Sequence, residues 1–229
     1  MGVPCPDRAS CPLVDVARHR EPVNVERQRD RIVSAATAVM ARDGLQATRL
    51  RQVAVEAGLS TGSILYYFDG FDAVLVAAVR AAGAQYCTGR QERIDAEPDP
   101  RSALDALIAL GVPDSLSDAV RVVYQASSLI GLHPEVVPVL AEMNERQLDL
   151  YAQVIERGVA SGAFAPASEP RVIARTALAL EDAFTLYLLS GYGVDAAAAR
   201  AHIHRYLDDA LGLGDRPARG SRHARLGGR

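Results

Sequence analysis

The sequence predicts an all-α protein of about nine helices, and three observations carry that expectation. Apolar residues recur every three or four positions after residue 24, alternating β-branched runs are absent, and glycine and proline punctuation divides the chain into pieces of helical length. Helices are expected over 25–43, 50–57, 61–68, 71–95, 101–110, 115–130, 134–162, 169–191 and 195–211.

The first segment stops at Asp43-Gly44. The second and third are about eight residues each, too short to persist alone, so the first segment and the start of the fourth must pack around them. A small three-helix domain is therefore expected over 25–70 and a longer helical domain over 71–212. In the eighth segment Val172, Ile173, Thr176, Ala177, Leu180, Phe184, Tyr187 and Leu188 cover most of the circumference. Such a helix is buried on two sides, one against its own bundle and the other most simply against a second copy, which predicts a homodimer. Residues 1–24 and 213–229 lack periodicity and are rich in Pro, Gly and Arg; both are expected to be mobile tails, the second basic.

Composition excludes several classes. The 229 residues are 49% apolar and 23% charged with a net charge of -3, as in a globular chain. The longest apolar run, 73–79, is far short of the roughly 20 residues that span a bilayer, and the first 22 residues lack the apolar core of a secretory signal. No membrane partner and a cytoplasmic location are expected. All 25 basic residues are arginine, whose planar fork suits phosphate. Residues 71–212 hold 11 arginines against 19 acids, so contact with DNA must be made by an end of the chain with the acidic body held away. Cys5, Cys11 and Cys87 cannot all pair within one chain. Cys5 and Cys11 offer a redox pair or metal half-site, but an inert tail pair is preferred, and Cys87 reads as a small apolar residue.

The stretch Leu50 to Phe68 has helix-turn-helix spacing. Ala54 is small enough for two helices to cross closely, Gly58 supplies a positive φ to end the first sharply, and Leu59 and Ile64 fill the angle between them. Thr48 is placed to cap the second helix and Ser60 the third, whose exposed amides then face an anion such as phosphate. An ordinary helical hairpin shares the glycine and the apolar spacing; the caps and the Tyr66-Tyr67 pair favour a DNA-binding unit.

At Ala35, Ala36, Gly44, Leu45, Thr48, Ala57, Gly58, Ser60, Gly62, Ile64, Tyr67 and Phe68 the sequence resembles the tetracycline-repressor (TetR) family of bacterial transcription regulators. The match covers roughly residues 26–80, and beyond it only the helix count and lengths agree. The resemblance implies a recognition helix with Ile64 and Phe68 turned to the core. Thr61, Gly62, Ser63 and Tyr66 then face base edges or phosphate, and Thr48, Arg49 and Tyr67 face phosphate. Leu65 stands where the family usually has Tyr, and Phe71 where it usually has Lys, so two customary phosphate contacts are missing.

The resemblance also implies a small-molecule effector site in the second domain. Gln85, Tyr86, Tyr124, Ser127, His133, Met143, Gln147 and Tyr151 are its candidate lining, although each taken alone reads as a satisfied core or boundary group. Glu181 and Asp182 interrupt the most apolar helix, either as ligand-facing acids that select a cation or, preferably, as groups bonded across a dimer interface. His202 and His204 lack a completing Cys or acid and are read as rim residues; no metal or cofactor is expected.

These readings converge on a homodimeric DNA-binding regulator, expected to be a repressor released from a near-palindromic double-stranded operator by a largely apolar effector. Two alternatives stand beside it. One is a family member that has lost DNA binding and acts through ligand or protein partners, motivated by Leu65 and Phe71. The other is a helical enzyme without a recognisable motif, although no G-x-S-x-G, phosphate loop or H-E-x-x-H is present.

Overall fold

The computed structural model describes residues 22–213, which form nine α-helices and no strand. They are α1 (Pro22–Asp43), α2 (Leu50–Glu56), α3 (Thr61–Tyr67), α4 (Gly70–Asp95), α5 (Pro100–Gly111), α6 (Asp118–Ser128), α7 (Val137–Ala160), α8 (Pro170–Ser190) and α9 (Ala196–Ala210). The expected tails lie almost wholly outside the described residues, as do Cys5 and Cys11. At the N-terminal end, however, α1 begins at Pro22, inside the span expected to be tail.

Side-chain caps set several of these boundaries. Asp99 accepts from the Ser102 N–H at 2.8 Å with Pro100 opening α5, and Asp195 accepts from the Ala198 N–H at 2.7 Å ahead of α9. Two expected boundaries need correction. The sixth helix starts three residues late, because Ser117 caps it by accepting from the Val120 N–H. Residues 134–136 form a single 3-10 turn before α7 rather than its first α-helical turn.

Two apolar cores run through the molecule. The first joins α1, α2 and α3 to the first half of α4, to α6 and to the start of α7, with Ile32, Ala36 and Met40 lining α1 at helical spacing. The second is built from Ile94 at the end of α4, from α5, from the rest of α7, and from α8 and α9. The first core is continuous across residue 70, and the Leu45 N–H also donates to Gln125 Oε1 of α6 at 2.8 Å. The helix-turn-helix is thus seated on the body by side chains as well as by the chain itself. Among the described residues no single helix is long and apolar enough to cross a membrane.

Candidate nucleic-acid interface and effector cavity

The turn between α2 and α3 follows from small residues and short-range bonds. Ala54 is buried at the crossing, Gly58 adopts φ +61°, and the Leu59 N–H reaches back to the Ala54 carbonyl at 2.9 Å. Ser60 caps α3, its hydroxyl accepting from the Ser63 N–H at 3.0 Å. Ile64 and Phe68 enter the first core. This leaves Gly62 and Tyr66 exposed, Thr61, Ser63 and Tyr67 half-buried, and Leu65 about half exposed. Asn24, Gln28, Ser60, Gly62, Ser63, Tyr66 and Tyr67 share one open depression along this face. Arg29 braces the end of α3, donating to the Tyr67 carbonyl with its guanidinium 4.1 Å from the Phe68 ring centroid.

Thr48 does not cap α2. Its side chain is 1% exposed, and its hydroxyl donates back to the Gly44 carbonyl at 2.8 Å, so it closes the preceding loop from inside. Arg49 occupies the capping position instead, its N–H donating to Gln52 Oε1 at 2.7 Å. The exposed Arg49 guanidinium rests on the carbonyls of Gln46 and Thr48. Phe71, at the start of α4, packs on the first core with its ring edge toward His133.

In the body, α4, α6, α7 and α8 enclose a cavity of about 530 Å³. Tyr86, Tyr124, Ser127, Met143 and Gln147 line it, together with Asn144, Asp182 and a largely aliphatic remainder that includes Val123, Leu140 and Leu186. Three candidate residues stand elsewhere. Gln85 faces a second depression, toward α5 and α6. His133 sits near the α4 N-terminus, its Nδ1 3.4 Å from Asp72 and 3.2 Å from Glu135. Tyr151 is fully buried behind the cavity and donates to Glu181 at 2.5 Å.

Behind the cavity wall lies a buried ion pair. Arg90 of α4 donates through both terminal nitrogens to the Glu181 carboxylate of α8, each at 2.7 Å, and both side chains are 1% exposed. The same guanidinium donates to Gln147 Oε1 of α7 at 2.8 Å and to the Leu107 carbonyl of α5 at 3.2 Å. Burial opposes the arginine charge, and the adjacent carboxylate outweighs that effect, holding Arg90 more firmly protonated than usual. Burial, followed by the Glu181 charge, drives the Tyr151 hydroxyl well above its ordinary range. Gly111 of α5 approaches so closely that a Cβ there would overlap the Glu181 carboxylate. Tyr86 belongs to both constructions, lining the cavity while its hydroxyl donates to Glu181 at 3.1 Å.

Asp182 accepts from the Tyr124 hydroxyl at 2.9 Å. Burial, reinforced by the neighbouring Glu181 charge, pushes its carboxyl up to about 6. Both acids of α8 therefore bond within the chain, and the complete burial of Glu181 corrects the preferred expectation that it reaches across a dimer contact.

A family model described as bacterial regulatory proteins, tetR family, matches residues 32–78, the end of α1 through the start of α4. An HTH-type transcriptional regulator, BetI, of Burkholderia ambifaria is 29% identical over 188 residues, covering 80% of this chain and 93% of its own. Residues 32–78 thus carry the DNA-binding domain of the TetR family of transcriptional regulators. An HTH-type transcriptional repressor of the same family, KstR2 of Rhodococcus jostii, is 27% identical over 139 residues, 60% of this chain and 68% of its own. Among solved structures, a TetR transcription regulator from Haloarcula marismortui superposes with a TM-score of 0.73 at 19% identity, covering 81% of this chain and 99% of its own. A regulator from Saccharomonospora viridis in complex with choline gives 0.71 at 24% identity, covering 80% and 96%. These two likenesses show that the shared fold extends over about four-fifths of the chain.

Within the body, sequence reasoning missed Arg90 altogether and, for Asp182, preferred a dimer contact to the ligand-facing position. A signal was present. Gly83, Cys87, Arg90 and Ile94 recur at helical spacing on one buried face of α4, so the arginine interrupts an apolar stripe as Glu181 interrupts α8. Two opposite charges in two otherwise apolar faces are candidates for each other.

Proposed function

We propose that the chain is a homodimeric repressor whose helix-turn-helix occupies a near-palindromic operator and is released by a small, largely apolar effector bound in the α4–α6–α7–α8 cavity. The observation that carries this is the double membership of Tyr86, which lines the cavity and bonds the Arg90–Glu181 pair on the same helix that begins beside α3. On this reading residues 25–70 form the DNA-binding unit and residues 71–212 the effector-binding and dimerisation unit, working in the cytoplasm and without catalysis. Thr61, Gly62, Ser63 and Tyr66 meet base edges while Arg49 and Tyr67 meet phosphate. The choline complex of the Saccharomonospora viridis neighbour supports a small-molecule site in this fold.

The switch is a matter of differential affinity. A ligand that bonds Tyr86 or Gln147 competes with Arg90 for them and loosens the clamp on α4. Release of DNA requires the ligand to prefer the DNA-free arrangement, and a hundredfold preference amounts to about 2.7 kcal/mol per site. Dimerisation through α8 and α9 is supported by the outer face of α8, where Val172 and Tyr187 stay exposed while Ile173, Ala177 and Leu178 enter the second core.

Selection of bound sequences from random duplex DNA, followed by operator titration with and without thermal-shift hits, tests the proposal. It is upheld by an inverted-repeat site and by hits that release it. Light scattering that finds a monomer at micromolar concentration, or hits that stabilise the protein yet never change operator affinity, would overturn the dimer or the switch respectively. A second reading, a member that has lost DNA binding, is favoured by the exposed Leu65 and the inward Phe71; failure to enrich any sequence supports it.

A further inference from the structure

Asp182 is the one charged residue among the described lining of the cavity. Its neighbour Glu181 is neutralised by Arg90, whose two terminal nitrogens both bond that carboxylate and also serve Gln147 and the Leu107 carbonyl, so that positive charge is already paired. Asp182 has a neutral hydrogen-bond donor, the Tyr124 hydroxyl, and takes part in no ion pair among the described residues. The cavity therefore carries an uncompensated carboxylate in a largely apolar wall, an arrangement that costs free energy until a cation joins it. Two aromatic rings, Tyr86 and Tyr124, flank the acid, and aromatic faces attract cations.

Ligand classes separate on this wall. A neutral apolar molecule would strip water from Asp182 and return nothing for it, and an anion would meet like charge. A positive group on an apolar body compensates the acid and fills the aliphatic remainder. We propose that the cavity selects an organic monocation, an ammonium head carried on an apolar body, with Asp182 as counter-ion and Tyr86 and Tyr124 as its aromatic walls. This rests on the reading of the cavity as the effector site, and narrows it from a largely apolar ligand to a cationic amphiphile. The volume of about 530 Å³ suits a molecule of that kind.

Isothermal titration calorimetry on the full chain with three probes of one chain length, octyltrimethylammonium, 1-octanol and octanoate, tests it. Octyltrimethylammonium is expected to bind at least tenfold more tightly than 1-octanol, with octanoate weakest. Asp182→Asn, which keeps an acceptor for the Tyr124 hydroxyl, should reduce the affinity for the cation about tenfold and leave that for 1-octanol within twofold; Asp182→Glu should retain the preference. Equal binding of cation and alcohol by the wild type, or undiminished cation binding by Asp182→Asn, overturns the charge selection while the cavity survives as a ligand site. If none of the three binds, both the selection and the effector reading of the cavity fail. Should Asp182→Asn not fold, the wild-type ranking of the three probes decides the matter alone.

Discussion

In the helix-turn-helix the capping and turn bonds join near neighbours, Ser60 to Ser63, Arg49 to Gln52 and Thr48 to Gly44, whereas the bonds of the Arg90 guanidinium to other helices span 17, 57 and 91 positions of chain. The first region is assembled from turns, each satisfied by itself; removing one bond loosens one turn. The second region adds to one local bond, from Arg90 to the Tyr86 hydroxyl at 3.0 Å, partners from three other helices, so that four helices meet there on one guanidinium. Removing either member of the pair strands a buried charge, so the cost falls on the whole body rather than on one turn.

The largest effect expected from this contrast is at the ion pair. Arg90→Met should destabilise the protein by about 3–5 kcal/mol, and the double variant Arg90→Met, Glu181→Leu should recover most of that loss, since an apolar pair replaces the buried charges. Urea unfolding of the three proteins checks it. A single variant within about 1 kcal/mol of wild type would show that the cluster does not hold the body together.

Next in size are the DNA contacts, where the helix-turn-helix is probed through binding. Tyr66→Ala is expected to cost about 1–3 kcal/mol of operator affinity if the ring reads a base. Arg49→Ala should weaken all sequences evenly and flatten the salt dependence. Operator titrations at several salt concentrations separate the two, and unchanged affinity in both variants would contradict the docking proposed above.

Ser60→Ala should cost about 1 kcal/mol through the lost cap of α3, read as a lower unfolding midpoint at nearly unchanged m-value. A loss comparable with Arg90→Met would mean that the turn is not locally autonomous.

A pH slope is expected as well. Folding raises the Asp182 carboxyl from 3.8 to about 6, so the folded chain holds a proton that the unfolded chain releases between those values. Its contribution to stability is complete below the lower value and is lost as pH rises through the upper one. The stability of wild type relative to Asp182→Asn should therefore fall between pH 4.5 and 7. Parallel melting curves for the two proteins across that range would remove the raised carboxyl.

Much of the helix-turn-helix was legible because its signals are local. Gly58, Ala54 and Ser60 act within one or two turns, and the placement of Ile64 and Phe68 four residues apart follows from helical periodicity alone. Thr48 was misjudged within the same region. Its hydroxyl can cap forward or close the loop backward, and the burial that selects the second comes from surrounding helices. In the body, five of the eight candidate lining residues meet in one cavity, while Gln85, His133 and Tyr151 project elsewhere, because the rotation of each helix about its own axis is settled by its neighbours.

The amino-acid sequence by itself determined the all-α class, the nearly complete set of helix positions and the helix-turn-helix, since periodicity, caps and glycines act through bonds a few residues long. Tertiary structure alone decided that Arg90 faces Glu181 and that Asp182 opens on a cavity. Partners separated by 91 and 58 positions are matched by the packing angles of α4, α6, α7 and α8, and no short window of sequence contains that information.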